Sequence, residues 1–464
     1  MKLTALAALD LDALDADVLN LLLLDIDGGL RSVSLPRAYV SAAVLHDGIG
    51  FDASNYGFAK VEQSDMVAVP DTTAAWLEER DGSTIAHVLC DVVTPDDRRD
   101  FDQYPRSVAR RTAAYLQEAG IADSAQMLVE LEFYAFDAVE YGTGLDHAFF
   151  AVGSPEGLGK AHQTQRRFAP LAGYHQLPPD DRFFDFRNRV VATLQAAGIP
   201  VKYHHHEVGA SQLEIELDFM ALPRAADSVC IAKWIVRSVA ESLGLQVTFM
   251  PKPLYKMPGS GMHVHQFLEK GGRSLFPGDG AHGLSATGLS YTAGLLAHSL
   301  TGSLLAFTNP STNSYRRLVA GYEAPVSATF ARGSRNAAVR IPGYLKPDAL
   351  RIEYRTGDAA ANAHYMLSAM VLAGVDGILR DADPVALGFE RDSPRRDSPR
   401  RDESRRDQVF PLDLDVVLDG LARDAAWLAP AFPGKLLELW IARKRAEAEY
   451  VYNAPTPQEY ELYF

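Results

Sequence analysis

The sequence predicts a mixed α+β protein in two parts, a small strand-rich N-terminal domain over residues 1–102 and a larger domain over residues 103–464. Three observations carry this. Residues 18–100 read mostly as successive strands. Beyond Tyr104-Pro105, helical periodicity alternates with short strand-like segments. Several of those segments place carboxylate, imidazole or guanidinium groups at every second position, so that they share one face of a strand.

The elements follow in chain order. The opening MKLTALAALDLDALDADVLN reads as a short amphipathic helix, and Asp10, Asp12, Asp15 and Asp17 interrupt any signal-peptide apolar core. LNLLLLDIDGGLRSVSLPR reads as two strands joined around Asp27-Gly28-Gly29, and SDMVAVPD and TIAHVLCDVV as two more. Ser107 is the expected cap of a helix through VARRTAAYLQEA that stops at Gly120. A second helix is expected over 183–197, before Gly198. A third is expected over 228–243, capped by Asp227 and ended by Gly244. Residues 391–408, RDSPRRDSPRRDESRRDQ, carry no side chain able to join a core and read as a low-complexity charged loop.

Composition narrows the function classes. The chain has 464 residues, of which 47 % are hydrophobic, enough for a sizeable core. A formal charge of −15 argues against nucleic acid as a partner. Two cysteines, Cys90 and Cys230, fit a reducing compartment and provide neither a disulfide framework nor a thiolate zinc site. No stretch approaches the roughly 20 apolar residues of a membrane span. A soluble, cytoplasmic protein with no membrane partner is expected.

The chemistry lies in strand parity. In LVELEFYAF, Glu130, Glu132 and Tyr134 share a face. In QLEIELDF, Glu214, Glu216 and Asp218 do so, in GMHVHQF His263 and His265, and in LRIEYR Arg351, Glu353 and Arg355. One such strand is ordinarily a half-exposed edge. Four in one chain point to a curved sheet whose concave face is lined by ionisable groups. Glu130 beside Glu132 is favourable mainly when a cation lies between them. A ligand set of carboxylates with one imidazole suits Mg²⁺ or Mn²⁺ better than zinc. Arginines nearby suit phosphate oxygens. Together these groups point to phosphoryl transfer from a nucleotide, in a site that lacks a GxxxxGK[ST] loop.

An ordered series of motifs then matches a known family. These are FDAS (51–54), SDMVAVPD (64–71), YPRSVARR (104–111), ELEF (130–133), HHHEVGASQLEIELDF (204–219), MPKPLY with GSGMHVHQ (250–266), NPSTNSYRRLVAGYEAPV (309–326), RNAAVRIP (335–342) and RIEYR (351–355). Over nearly its whole length the chain resembles type I glutamine synthetase. The resemblance implies an N-terminal β-grasp domain, a catalytic domain with a curved antiparallel sheet flanked by helices, and a double-ring dodecamer with active sites between subunits. It implies ATP-dependent joining of ammonium to glutamate through γ-glutamyl phosphate, with two or three Mg²⁺ or Mn²⁺ ions per site. Carried over by position, Glu132, Glu207 and Glu214 resemble the ligands of one metal, and Glu130, His263 and Glu353 those of a second. Gly259, His263, Arg317, Glu323 and Arg355 resemble the glutamate site. Arg335 and Arg340 resemble the arginines facing the transferred phosphoryl group, and Phe219, His265, Arg340 and Arg351 nucleotide contacts. Asp52, from a neighbouring subunit, resembles the group that deprotonates ammonium, with Tyr174 and Glu323 completing that pocket.

The chain also departs from the family pattern. Pro258 replaces an asparagine that helps hold the amino acid, and Asn55 replaces a serine near the ammonium site. Phe267 stands where serine or threonine is usual, and Asp348 where lysine is common. These changes spare the metal and phosphoryl positions and leave open a larger amine as acceptor, as in glutamate–amine ligases. A non-catalytic structural relative would have lost metal-ligand carboxylates, and all six ligand positions are filled here. No tyrosine lies between Tyr365 and Tyr450, so control by adenylylation is not expected.

Overall fold

The computed structural model describes residues 2–59, 64–159, 168–391 and 408–464. Two sheets organise them. The first contains β1 (Lys2–Ala5), β2 (Val18–Leu24), β3 (Leu30–Pro36), β4 (Ile49–Asp52), β5 (Asp65–Arg80) and β6 (Ser83–Val93). Its order is β1-β5-β6-β2-β3, with β4 on the other part of the long β5. The expected turn around Asp27-Gly28-Gly29 joins β2 to β3. Its Asp25 carboxylate accepts from the amides of Asp27 and Gly29.

The second sheet gathers β7 (Ser124–Phe136), β10 (Val201–His206), β11 (Gln212–Leu217), β14 (Met262–Lys270), β16 (Phe330–Arg332), β17 (Val339–Ile341) and β18 (Ile352–Tyr354). Its order is β10-β11-β7-β14-β18-β17-β16, antiparallel apart from β16–β17. The short strands β12 (Met220–Ala221) and β13 (Gln246–Thr248) pair with β7, and β15 (Arg273–Ser274) pairs with β14. A separate hairpin joins β8 (Ala138–Thr143) to β9 (Ala148–Gly153).

The helices are α1 (Ala42–Asp47), α2 (Pro105–Glu118), α3 (Phe184–Ala196), α4 (Leu222–Ser242), α5 (Ala286–Leu300), α6 (Leu305–Thr308), α7 (Ser314–Arg317), α8 (Ala363–Leu379), α9 (Leu414–Arg423), α10 (Gly434–Tyr452) and α11 (Pro457–Tyr463). One face of β7, formed by Val129, Leu131 and Phe133, is buried in a core shared with α4 residues such as Val229 and Val236. The other face is then free to carry Glu130 and Glu132. Helix α8 is apolar almost all round and buried along most of its length, packing against α2, α4 and α5. A helix with that composition belongs in an interior.

Three local expectations need correction. The N-terminus forms a strand, not a helix: β1 pairs antiparallel with β5 from Lys2↔Glu79 to Ala5↔Trp76, and Lys2 meets Glu79 at 2.7 Å. The aspartates that follow favour turns instead, as where Asp10 accepts from the Asp12 amide. Helix α2 starts at Pro105, with Tyr104 at its cap and Ser107 inside. Helix α4 starts at Leu222, one turn and more before Asp227. Pro105 and Pro223 set these starts, because proline suits the first turn where no amide donor is needed. Asp227 acts instead as a tertiary partner, accepting from Arg106 and facing His364 at 2.8 Å.

At the low-complexity segment, the Arg391 amide donates to Phe330 and Gln408 donates to Gly388 at 2.8 Å. Residues 392–407, with most of the RDSPR repeat, lie outside the described residues. No helix among the described residues is long and apolar enough to cross a membrane.

Candidate active site

A cavity of about 670 Å³ opens on the polar face of the second sheet. Sheet register explains why its charges converge. Across β7 and β11, Glu132 lies opposite Glu214, and Glu130 opposite Glu216. Across β7 and β14, Glu130 lies opposite His263. Across β14 and β18, His265 lies opposite Glu353, which in turn faces Arg340 on β17. Thus five strands deliver polar positions to one surface.

The lining includes Glu130, Glu132, Tyr174, Glu207, Glu214, Gly259, His263, Arg317, Glu323, Arg335, Arg340, Glu353 and Arg355, all singled out in the sequence. Phe219, His265 and Arg351 form an adjoining cluster: Arg351 lies over the Phe219 ring at 5.4 Å and donates to His265 Nδ1 at 3.3 Å. Phe267 meets Phe219 edge-on at 5.2 Å, so this departure from the family pattern extends an aromatic wall. Asp52 is not among the lining residues. It ends β4 on an exposed edge, accepting from the Ser54 amide at 2.8 Å.

The hydrogen bonds fix proton positions. Guanidinium has only donors, so Arg317 Nη2, 3.1 Å from His263 Nε2, requires that nitrogen to accept. In the cation-free site His263 therefore carries its proton on Nδ1 and donates to Glu130 at 2.9 Å, and a cation held by His263 would replace that proton. The same argument from Arg351 puts the His265 proton on Nε2, which donates to Glu130 at 2.8 Å. Burial opposes the charge of Glu130, but the two imidazole donors outweigh it and hold the carboxyl well below its usual range. Burial likewise opposes Glu353. Arg355 and Arg340, the latter at 2.6 Å, prevail and hold it at about 2.

Glu207 and Glu214 differ. Burial raises both, and neighbouring carboxylates raise them further: Glu214 and Glu132 act on Glu207, and Glu130 and Glu132 on Glu214. Among the described residues neither has an arginine or lysine partner. Only His205 approaches, 3.8 Å from Glu207 and 3.6 Å from Glu214. An oxygen-rich, electrostatically uncompensated set of this kind fits a hard divalent cation. Ligand atoms of Glu130, His263 and Glu353 lie within 4.8 Å of one another, as do those of His205, Glu207 and Glu214. Glu132 stands beside the second group, with one oxygen accepting from the Gly261 amide at 2.7 Å.

Gly259 is placed by close contact. A Cβ there would lie 2.4 Å from the Pro251 carbonyl and 2.6 Å from the Arg317 side chain. The Pro258 carbonyl accepts from Tyr134 at 2.7 Å, which fixes the loop despite the lost asparagine. Glu323 adopts a left-handed φ of 58°, an uncommon conformation for a residue with a side chain.

Some lining residues escaped sequence reasoning. Gln212 bonds the Gly259 carbonyl at 3.0 Å and Glu132 at 3.4 Å. It lies two residues before Glu214, so parity alone could have found it. Lys202, Tyr203, His205, Tyr322 and Tyr344 also line the cavity. The last two come from loops, where no periodicity marks orientation.

Comparison with known proteins gives a consistent result. The family model described as glutamine synthetase, catalytic domain, matches residues 102–463, and that of the glutamine synthetase β-grasp domain matches residues 15–95. The chain is 36 % identical over 457 residues to glutamine synthetase of Mycolicibacterium smegmatis, covering 95 % of this chain and 94 % of that protein. Against the Escherichia coli K12 enzyme the identity is 35 % over 451 residues, with 95 % of each covered. The cryoEM structure of Plasmodium falciparum glutamine synthetase superposes with a TM-score of 0.88 at 25 % identity, covering 99 % of this chain and 100 % of that one. The apo structure of GmaS superposes with a TM-score of 0.77 at 27 % identity, covering 96 % of each. Both domain matches and the full-length relatives agree: the chain belongs to the glutamine synthetase family.

Proposed function

We propose that the chain is a glutamate–ammonia ligase, driven by ATP and a divalent cation. The observation that carries this reading is the convergence of two ligand groups, Glu130/His263/Glu353 and Glu207/Glu214 with Glu132, beside Arg317, Arg335, Arg340 and Arg355 in one cavity. These carboxylates and His263 would hold Mg²⁺ or Mn²⁺, which when bound offsets charge on the phosphate oxygens. Arg317, Arg355, Glu323 and the Gly259 backbone bind glutamate. Arg335 and Arg340 face the transferred group, and their fixed positive charge favours the transition state over the ground state. Phe219, Arg351 and His265 take the nucleotide.

The glutamate γ-carboxylate attacks the γ-phosphoryl group of ATP, releasing ADP and forming γ-glutamyl phosphate. Ammonia then attacks the acyl carbon, the bond to phosphate breaks, and the departing phosphate takes the proton that the attacking nitrogen sheds to become an amide. Asp52 of a neighbouring subunit accepts the ammonium proton. Its exposed place on β4, away from the cavity of its own chain, supports a site shared between subunits of a dodecamer. Tyr174 and Glu323 close the ammonium pocket, and the loop bearing Glu323 excludes water from the acyl phosphate.

A glutamate–amine ligase is the second reading, favoured by Pro258 at the cavity wall in place of asparagine. The test is phosphate release with glutamate, ATP and Mg²⁺, comparing ammonium with putrescine, spermidine and ethanolamine. Ammonium should lead in kcat/KM by at least about tenfold, which needs only about 1.4 kcal/mol of differential transition-state binding. Equal or better turnover with a larger amine moves the protein to the second reading.

A further inference from the structure

Glu207 follows the last residue of β10, and the turn over residues 208–211 leads from it into β11 and Glu214. The spacing of these two carboxylates therefore depends on that turn. Beneath it lies Glu156, whose side chain is fully buried. One of its oxygens accepts from the Arg182 amide at 3.1 Å, and the other from the Ser211 amide at 2.5 Å. Both lie within 3.1 Å of His206 Nε2. The opposite ring nitrogen, Nδ1, is 2.7 Å from the Glu207 carbonyl. Glu156 thus grips the turn at both ends, through His206 before it and through Ser211 at its close. Ser211 has a φ of 69°, a conformation that an ordinary residue keeps only under external restraint.

The strand end that Glu156 holds also positions Tyr174. The Gly173 amide donates to the Val208 carbonyl and the His175 amide to the His206 carbonyl, each at 3.0 Å. A Cβ on Gly173 would lie 2.6 Å from the Glu207 carbonyl oxygen, so the two segments meet backbone to backbone.

Glu156, Asp181 and His206 bring ligand atoms within 4.8 Å of one another, which could be taken for a cation cage. The existing donors argue otherwise. Asp181 is occupied by a two-pronged contact from Arg187, at 3.1 and 2.6 Å, and by the Phe183 amide. Glu156 already has its two amides and an imidazole. The cluster is a satisfied polar hub.

We propose that Glu156 is a positioning residue for the cation site: by fixing the 206–211 turn it sets Glu207 against Glu214 and places Tyr174 at the cavity wall. The proposal rests on the reading of Glu207 and Glu214 as cation ligands. Outer partners of metal ligands commonly change affinity by 10- to 100-fold when altered.

The test uses the full chain and measures Mn²⁺ binding by electron paramagnetic resonance, without substrates, alongside melting temperature and KM for glutamate. Glu156→Gln keeps the volume and loses the charge. It should weaken Mn²⁺ binding about tenfold while leaving the KM for glutamate, measured at saturating Mn²⁺, within twofold. Asp181→Asn is the control for burial alone and should lower the melting temperature without moving Mn²⁺ affinity. If Glu156→Gln does not fold, His206→Gln carries the same test and should weaken Mn²⁺ equally. Unchanged Mn²⁺ affinity with a lowered melting temperature overturns the proposal and leaves Glu156 merely structural. Failure of the underlying reading gives a different result: Glu214→Gln would then leave Mn²⁺ binding intact in the otherwise wild-type chain.

Discussion

Glu132 and Glu214 stand directly opposite one another across the β7–β11 ladder, and both are buried. Like charges in that position repel. With Glu207 adding a third carboxylate, the metal-free site disfavours folding. By mass action, Mn²⁺ at a hundred times its dissociation constant for this site should add about 2.7 kcal/mol of stability. Glu214→Gln should raise the melting temperature of the metal-free protein, reduce the Mn²⁺-induced shift and abolish turnover. Scanning calorimetry with and without chelator checks the first two. Near-normal activity of Glu132→Ala at saturating Mg²⁺ would sink the ligand assignment.

Arg106 joins the two sheets' territories by pairing with Asp71, Asp91 and Asp227 at 2.6, 2.5 and 3.0 Å. Burial raises the Asp227 pKa, but Arg106 and His364 outweigh it and bring it to about 2, from an ordinary 3.8. The folded state thus binds this proton less readily than the unfolded chain. The stabilisation is complete above pH 3.8 and is lost as pH falls through about 2. It amounts to roughly 2 kcal/mol. Asp227→Asn should cost about that much at pH 7 and flatten the acid limb of a stability–pH curve measured by urea unfolding. An acid limb as steep as that of the wild type would count against the assignment.

Lys252 Nζ lies 4.0 Å from the centre of the Tyr322 ring, beside Glu323. The Lys252 main chain is tied to Asn313, its amide donating at 2.6 Å. This cation–π contact links the Glu323 loop to the loop ending in Pro258 and Gly259. Such contacts contribute about 0.5–2 kcal/mol. Lys252→Met should raise the KM for glutamate about threefold with little change in the melting temperature. A lower melting temperature with an unchanged KM would reduce the contact to local packing.

Asp52 and Arg340 test the shared site. Two inactive chains, Asp52→Ala and Arg340→Ala, should regain partial activity when mixed, because some interfaces then combine intact halves. Differently tagged chains establish that exchange has occurred. Exchange without recovery would mean that each site is built from one chain.

The sequence by itself determined which strands carry chemistry. Side-chain direction alternates strictly along a strand, so Glu130 with Glu132, His263 with His265, and Glu353 between Arg351 and Arg355 were legible from spacing alone, as was the apolar face of Val129, Leu131 and Phe133. The motif series added the family and the roles expected of residues in loops. Local signals were less decisive at element ends: proline rather than Ser107 or Asp227 set two helix starts, and pairing with β5 turned a helix-like N-terminus into a strand. Only the tertiary structure decided which carboxylates meet. Register between strands far apart in sequence put Glu132 against Glu214 and Glu130 against His263. The same assembly left Glu130 and Glu353 compensated by imidazole and guanidinium donors, and Glu207 and Glu214 without a strong cationic partner. The physical reason is that period-2 alternation is a property of one chain segment, whereas electrostatic compensation depends on distances between segments.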